Sequence, residues 1–243
     1  MTRTLAWTAA AGLGGGIVLL LIAFSLGGRE LVREARWGGW HGAGWRGEAC
    51  AQADDKDSPS ERHWSWNGGD VIDVAGPGLV RLHAGQGNEI IARGPAAALS
   101  AIEFHDGRMV IRCASPGLDI ALPDNGPRRF NVSGPAKVVM DGLAQRDLEL
   151  RVSGSGDVDA SGSIDHATVS VAGSGNARLG NVTMKVLTAH ISGSGGIEAA
   201  PTELADIRIS GAGVLRLRSH PATLRSHISG SGRITQTAAL DPK

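Results

Sequence analysis

The sequence predicts an all-β protein, a parallel β-helix of about six rungs, and it does so through three observations. The first is a short phrase that recurs five times: Ser153-Gly154-Ser155-Gly156, Ala172-Gly173-Ser174-Gly175, Ser192-Gly193-Ser194-Gly195, Ser210-Gly211-Ala212-Gly213 and Ser229-Gly230-Ser231-Gly232. Its first glycines lie 19, 20, 18 and 19 residues apart, and a degenerate copy, Ser133-Gly134-Pro135-Ala136, stands 20 residues upstream. A fixed period of this length marks a solenoid whose repeats stack on their neighbours. The second is alternation. Val132, Val152, Val171, Ile191, Ile209 and Ile228 precede the first glycines by two, with Phe130, Leu150, Val169, Ala189, Ile207 and Ser226 two further back. Beyond the second glycines come Val138, Val158, Ala177, Ile197, Leu215 and Ile234, then Met140, Ala160, Leu179, Ala199, Leu217 and Gln236. The third is that these apolar positions align in columns, which implies one shared interior and strands stacked about 4.8 Å apart. No 3.6-residue pattern runs through the region, which excludes helical solenoids.

In chain order, residues 1–28 read as a membrane anchor or uncleaved signal. Ala9 to Leu26 lies within the longest uncharged stretch and is centred on Ile17-Val18-Leu19-Leu20-Leu21-Ile22-Ala23-Phe24. Its 18 residues just reach across a bilayer, which takes about 20. No small-x-small cleavage site comes after it, and Cys50, preceded by Gly47-Glu48-Ala49, is no lipobox. Arg29, Arg33 and Arg36 lie just past the span, so charge counting alone would keep the rest of the chain in the cytoplasm. A short N-terminal anchor more often exports the domain attached to it.

Residues 29–67 read as a juxtamembrane linker, with Trp37, Trp40 and Trp45 among glycines and an acidic run, Asp54-Asp55-Lys56-Asp57, expected to be disordered. Tryptophan near arginine suits lipid headgroups; stacking on sugar rings is the alternative. Residues 68–128 read as short strands that cap the first rung, since an open β-helix end exposes unpaired backbone groups. Residues 129–237 are the solenoid and 238–243 a tail, with polar Ser226 and Gln236 ending the apolar columns. Cys50 and Cys113 form a candidate disulfide that would clip the linker to the cap.

Each repeat is expected to hold two short strands joined by a bend. Glycine accepts φ > 0 where a residue with a Cβ does not, so Gly154, Gly156, Gly173, Gly175, Gly193, Gly195, Gly211, Gly213, Gly230 and Gly232 are the turn residues. A calcium roll has a nine-residue period and an aspartate in each repeat; here only the first full copy carries one, Asp157. No copy has the spacing of a phosphate cradle.

These repeats resemble the bacterial GIN domain, described as an auto-transporter adhesin head. Val71-Ile72-Asp73-Val74-Ala75-Gly76 with Leu79-Val80-Arg81-Leu82 is similar to that family's opening hairpin. Gly107-Arg108-Met109-Val110-Ile111 and Leu118-Asp119-Ile120-Ala121-Leu122-Pro123 are similar to its later strands, and the likeness spans about residues 68–237. It implies an extracytoplasmic β-solenoid with no catalytic residues and no cofactor, on the exported side of the cell envelope.

Function then has to lie on outward columns. Arg151, His190, Arg208 and His227 share one with Asn131 and Ser170, a stripe cationic on balance that would suit an anionic glycan. Asp159, Arg178, Glu198 and Arg216 form a second, alternating in sign as register-fixing cross-strand pairs do, with Arg218 outside it. An enzyme of the glycosidase kind needs two carboxylates across a sugar; Asp157 and Asp159 share a rung and are expected to point apart. No nucleophile elbow or zinc motif occurs. With 24 basic and 24 acidic residues the chain lacks the basic face of a nucleic-acid binder. The expected partners are the membrane, through residues 9–26, and an envelope protein or anionic glycan. The oligomeric state stays open.

Overall fold

The computed structural model describes residues 60–66, 68–106, 108–112, 117–123 and 126–237. The apolar stretch 9–26, Cys50, Cys113 and the tail 238–243 lie outside these, and with them the expected anchor and disulfide. Among the described residues no helix is long and apolar enough to cross a membrane.

The repeats build four long, bent strands: β9 (Ala136–Gly154), β10 (Asp157–Gly173), β11 (Asn176–Gly193) and β12 (Gly196–Gly211), each paired in parallel with the next. β13 (Val214–Leu217) and β15 (Arg233–Gln236) continue the stack on one side, and β14 (Thr223–Gly230) on another. The solenoid makes about five turns, one fewer than the repeats suggested. The sixth corner is built, but the rung it joins stops after β15.

Each turn has three sides, not two strands and a bend. Along β10 the buried residues run Val158, Ala160, then Ile164, then Ala167, Val169 and Val171. The alternation breaks at Ser161–Ser163 and again at Asp165–His166, where consecutive residues face outward. The pairing register shifts at the first of these breaks. A short second side, centred on Ile164, therefore separates the first side (157–160) from the long side (167–173). The interior is the predicted set of columns: Val152, Val171, Ile191 and Ile209 are buried, as are Leu150, Val169, Ala189 and Ile207.

Residues 68–128 do more than cap. β2 (Val71–Ala75) and β3 (Gly78–Ala84) pair in parallel with β8 (Arg129–Ser133) and β9, adding a rung below the first repeat. β6 (Arg108–Ile111) and β7 (Leu118–Leu122) then pair in parallel with β2 and β3, adding another. The chain thus lays its second-last rung before its last and steps over it to begin β8. Both added rungs have only the long and first sides. The cap proper is antiparallel: β4 (Glu89–Gly94) on β7, β1 (Ser60–Ser65) on β4, and β5 (Ile102–His105) on β6. A single turn of helix, α1 (Ala96–Ser100), comes after β4, and Leu99 O accepts a bond from Arg62 Nη1 at 2.9 Å.

The expected linker also ends earlier than residue 67. β1 starts at Ser60, Trp66 is buried against Phe104 with ring centroids 6.0 Å apart, and the Arg62 guanidinium lies over the Trp64 ring. These aromatics obey strand alternation and close the N-terminal core; they belong to the domain.

Candidate functional site

Corner geometry fixes how outward residues line up. In each corner the first glycine, Gly154, Gly173, Gly193, Gly211 or Gly230, holds a positive φ. In the first two of these corners its carbonyl accepts two N–H groups from the next rung: Gly154 O takes Ser174 N at 2.8 Å and Gly175 N at 3.0 Å, and Gly173 O takes Ser194 N and Gly195 N; Gly193 O takes Ala212 N and Gly211 O takes Gly232 N. The ties along the axis are therefore backbone ones. A Cβ on Gly173 would lie 2.5 Å from Gly154 O, so close nesting as well as φ demands glycine there. The second glycines (Gly156, Gly175, Gly195, Gly213, Gly232) have no positive φ and serve space alone. On Gly175 a Cβ would strike the carbonyl oxygen of Gly156, and on Gly213 the side chain of Ile191.

With corners locked, the long side stacks in strict register. Asp73, Asn131, Arg151, Ser170, His190, Arg208 and His227 form one column, each opposite the next. Ser170, His190, Arg208 and His227 line a surface cleft of about 350 Å³ with the neighbouring serines Ser192 and Ser210. The column is less cationic than its sequence suggests. The Arg151 guanidinium pairs with Glu149, and that of Arg208 with Asp206 at 3.4 Å, because residues two apart share a face. At its N-terminal end Asp73 is nearly buried and accepts bonds from Arg108 and from Asn131 Nδ2 at 2.7 Å. That end is sealed. Cation without a carboxylate partner collects at the other end.

Comparison with known proteins places this geometry. Residues 61–221 match the family described as "Putative auto-transporter adhesin, head GIN domain". The chain belongs to the GIN domain family. No curated protein matches it. Among solved structures it is similar to a putative adhesin of Bacteroides fragilis NCTC 9343, at 19% identity and TM-score 0.55, over 74% of this chain and 98% of that one. It is also similar to a putative lipid binding protein of Parabacteroides distasonis ATCC 8503, at 16% identity and TM-score 0.44, over 75% and 98%. At 19% identity the likeness to the first is one of fold.

In this GIN domain the first side carries the charge ladder in the expected register, Asp159 opposite Arg178, Arg178 opposite Glu198, Glu198 opposite Arg216. The pairing within it is different. Arg178 bonds Asp159 at 3.1 Å and reaches Asp157 at 3.8 Å, while Glu198 takes Arg218 at 2.8 Å. Arg218 is thus a partner and not an outsider. It lies just past the first side, and Gly180, lacking a Cβ, leaves the space that the Glu198–Arg218 pair fills. Asp157 and Asp159 do not point apart: two residues along a strand share a face, and Arg178 engages both.

The second corner is absent from the sequence reading. Its signal is Gly142, Gly162 and Gly180, spaced 20 and 18 residues apart in step with the main phrase. Absent too is Gln145, which stands opposite Ile164 on the second side and so occupies an apolar column.

Proposed function

We propose that the chain is a non-enzymatic binding module of the bacterial cell envelope, exported and held at the membrane through residues 9–26. It takes an anionic glycan on the C-terminal part of its long side. The observation that carries this reading is the charge of that end. Residues 207–237 contain five arginines and two histidines and no carboxylate. Asp206 and Glu198, from outside that range, hold Arg208 and Arg218. On the long side His190, Arg208, Arg225 and His227 occupy three successive strands, so an extended polyanion meets a basic side chain, arginine or histidine, at every step of about 4.8 Å. Membership of a family described as adhesin heads supports a binding role. A second reading, docking of another envelope protein, is favoured by the outer edge of β14, which pairs with no other described strand and which a partner strand could extend.

The full chain in detergent, passed over immobilised polygalacturonate and neutral dextran, tests the proposal. It should bind the first and not the second, with binding weakened by salt and lost in an Arg208→Glu/Arg225→Glu variant. Equal binding by that variant, or none by the parent, would reject the site. A tag after Lys243 should react with an impermeant reagent in intact spheroplasts if the domain is exported; reaction only after lysis would place it inside.

A further inference from the structure

The second side ends abruptly at its N-terminal end, and a cavity lies there. Its inward column descends through Pro201, Met184 and Ile164 to Gln145, each opposite the next. Below Gln145 nothing stacks, because β3 leaves the register at His83 opposite Asp141 and the added rungs have no second side. The space is about 170 Å³, walled by Leu82, Leu122, Phe130 and Leu143, with Gln145, the exposed Asp141 and His83, which is already held by Asp119 at 2.8 Å, as polar lining. A cavity of about 150 Å³ is enough for a benzene-sized group.

Two features say what the cavity is for. The Gln145 amide nitrogen is buried and has no hydrogen-bond partner. A buried donor left unmade is costly, and an apolar residue, as in the three rungs above, would avoid that cost. Asp141 accepts the Ser161 hydroxyl on Oδ1 at 3.0 Å, and a carboxylate has acceptor sites to spare. The complement of this lining is a small group with a carbonyl to accept from Gln145, an N–H to donate to Asp141 and a methyl to meet the apolar wall. A carboxylate ligand would face the Asp141 charge. A plain hydrocarbon would leave the amide orphaned.

We propose that this cavity binds an acetamido group, the N-acyl substituent of an acetylated amino sugar or of an acetylated amine on a polypeptide. The site is separate from the cationic long side and stands or falls without it. The test is an NMR titration of the full chain in detergent, reading the Gln145 side-chain NH₂ resonance. The probes are N-acetylglucosamine, N-acetylglycine methylamide and, as controls, glucosamine and glucose. An acetylated probe should shift that resonance, the controls should not, and the better of the two acetylated probes identifies the source. Gln145→Leu restores the apolar column, so it should fold with an unchanged or raised Tm and bind about tenfold more weakly, the loss of one hydrogen bond. Asp141→Asn, which keeps the shape, should weaken binding as well. Shifts caused equally by glucosamine, no shift with either acetylated probe, or full affinity in Gln145→Leu would overturn the proposal.

Discussion

The two ends of this solenoid are built on opposite plans. At the N-terminal end the chain threads two extra rungs out of order and then folds antiparallel strands over them, so that Ile72, Met109, Ile120 and Trp66 are as buried as residues of the middle turns. At the C-terminal end the stack of described strands stops at β14 and β15. Every residue of β14 is exposed, including Leu224 and Ile228 at positions that face inward one rung earlier. No side chain of β14 or β15 makes a hydrogen bond or ion pair with another described residue. A parallel stack has no natural end, and covering one end costs the chain about sixty residues of non-repeating sequence (68–128). Leaving the other bare keeps an edge, apolar groups and unpaired cations available to a partner.

The largest expected effect concerns the corners. Gly173→Val puts a β-branched residue at a φ of 113° and its Cβ against Gly154 O, and should cost roughly 3 kcal/mol or more in urea denaturation. Gly230→Val faces a comparable backbone clash at a φ of 119°, yet the last rung can fray, and a cost below about 1 kcal/mol is expected. Equal costs would mean that the last rung is held as firmly as the middle. Core truncation should separate the regions next: Leu150→Ala about 2–5 kcal/mol, Leu224→Ala within about 0.5 kcal/mol.

Charge reversals are smaller. Arg178→Glu and Arg218→Glu each break a pair on the first side and should cost about 1 kcal/mol in low salt, less in 1 M salt. Arg233→Glu, opposite Val214 and unpaired, should cost almost nothing. The smallest effect is a titration. The hydrogen bond from Lys185 holds the Asp165 carboxyl below its ordinary value, so the pair contributes above that value and is lost as pH falls through the depressed one. Carboxyl NMR should show Asp165 protonating at lower pH than in Lys185→Ala.

How much of this is legible in the sequence depends on where the information sits. The register is legible because Val152, Val171 and Ile191 repeat at the same place before a glycine, and nothing but stacking produces that. The second corner is not, since Ile164, Met184 and Pro201 share no residue type and only the glycine spacing marks the bend. The out-of-order rungs are hidden because Asp73 pairs with Asn131 58 residues away, and only Gly76-Pro77-Gly78 hints at a corner there. The outward stripe is correct in register, but its charge is misjudged when columns are counted one at a time, because Glu149 and Asp206 neutralise it from the next. Likewise Glu198 takes Arg218 over Arg216 because a long guanidinium stem reaches beyond its own column.

Amide hydrogen exchange across the described residues tests most directly whether one end is sealed and the other open. The slowest exchange is expected in β9 to β12, with comparable protection in β2 and β8 and protection falling away in β14 and β15. Protection that declines alike at both ends, or β14 amides as slow as those of β10, would contradict it.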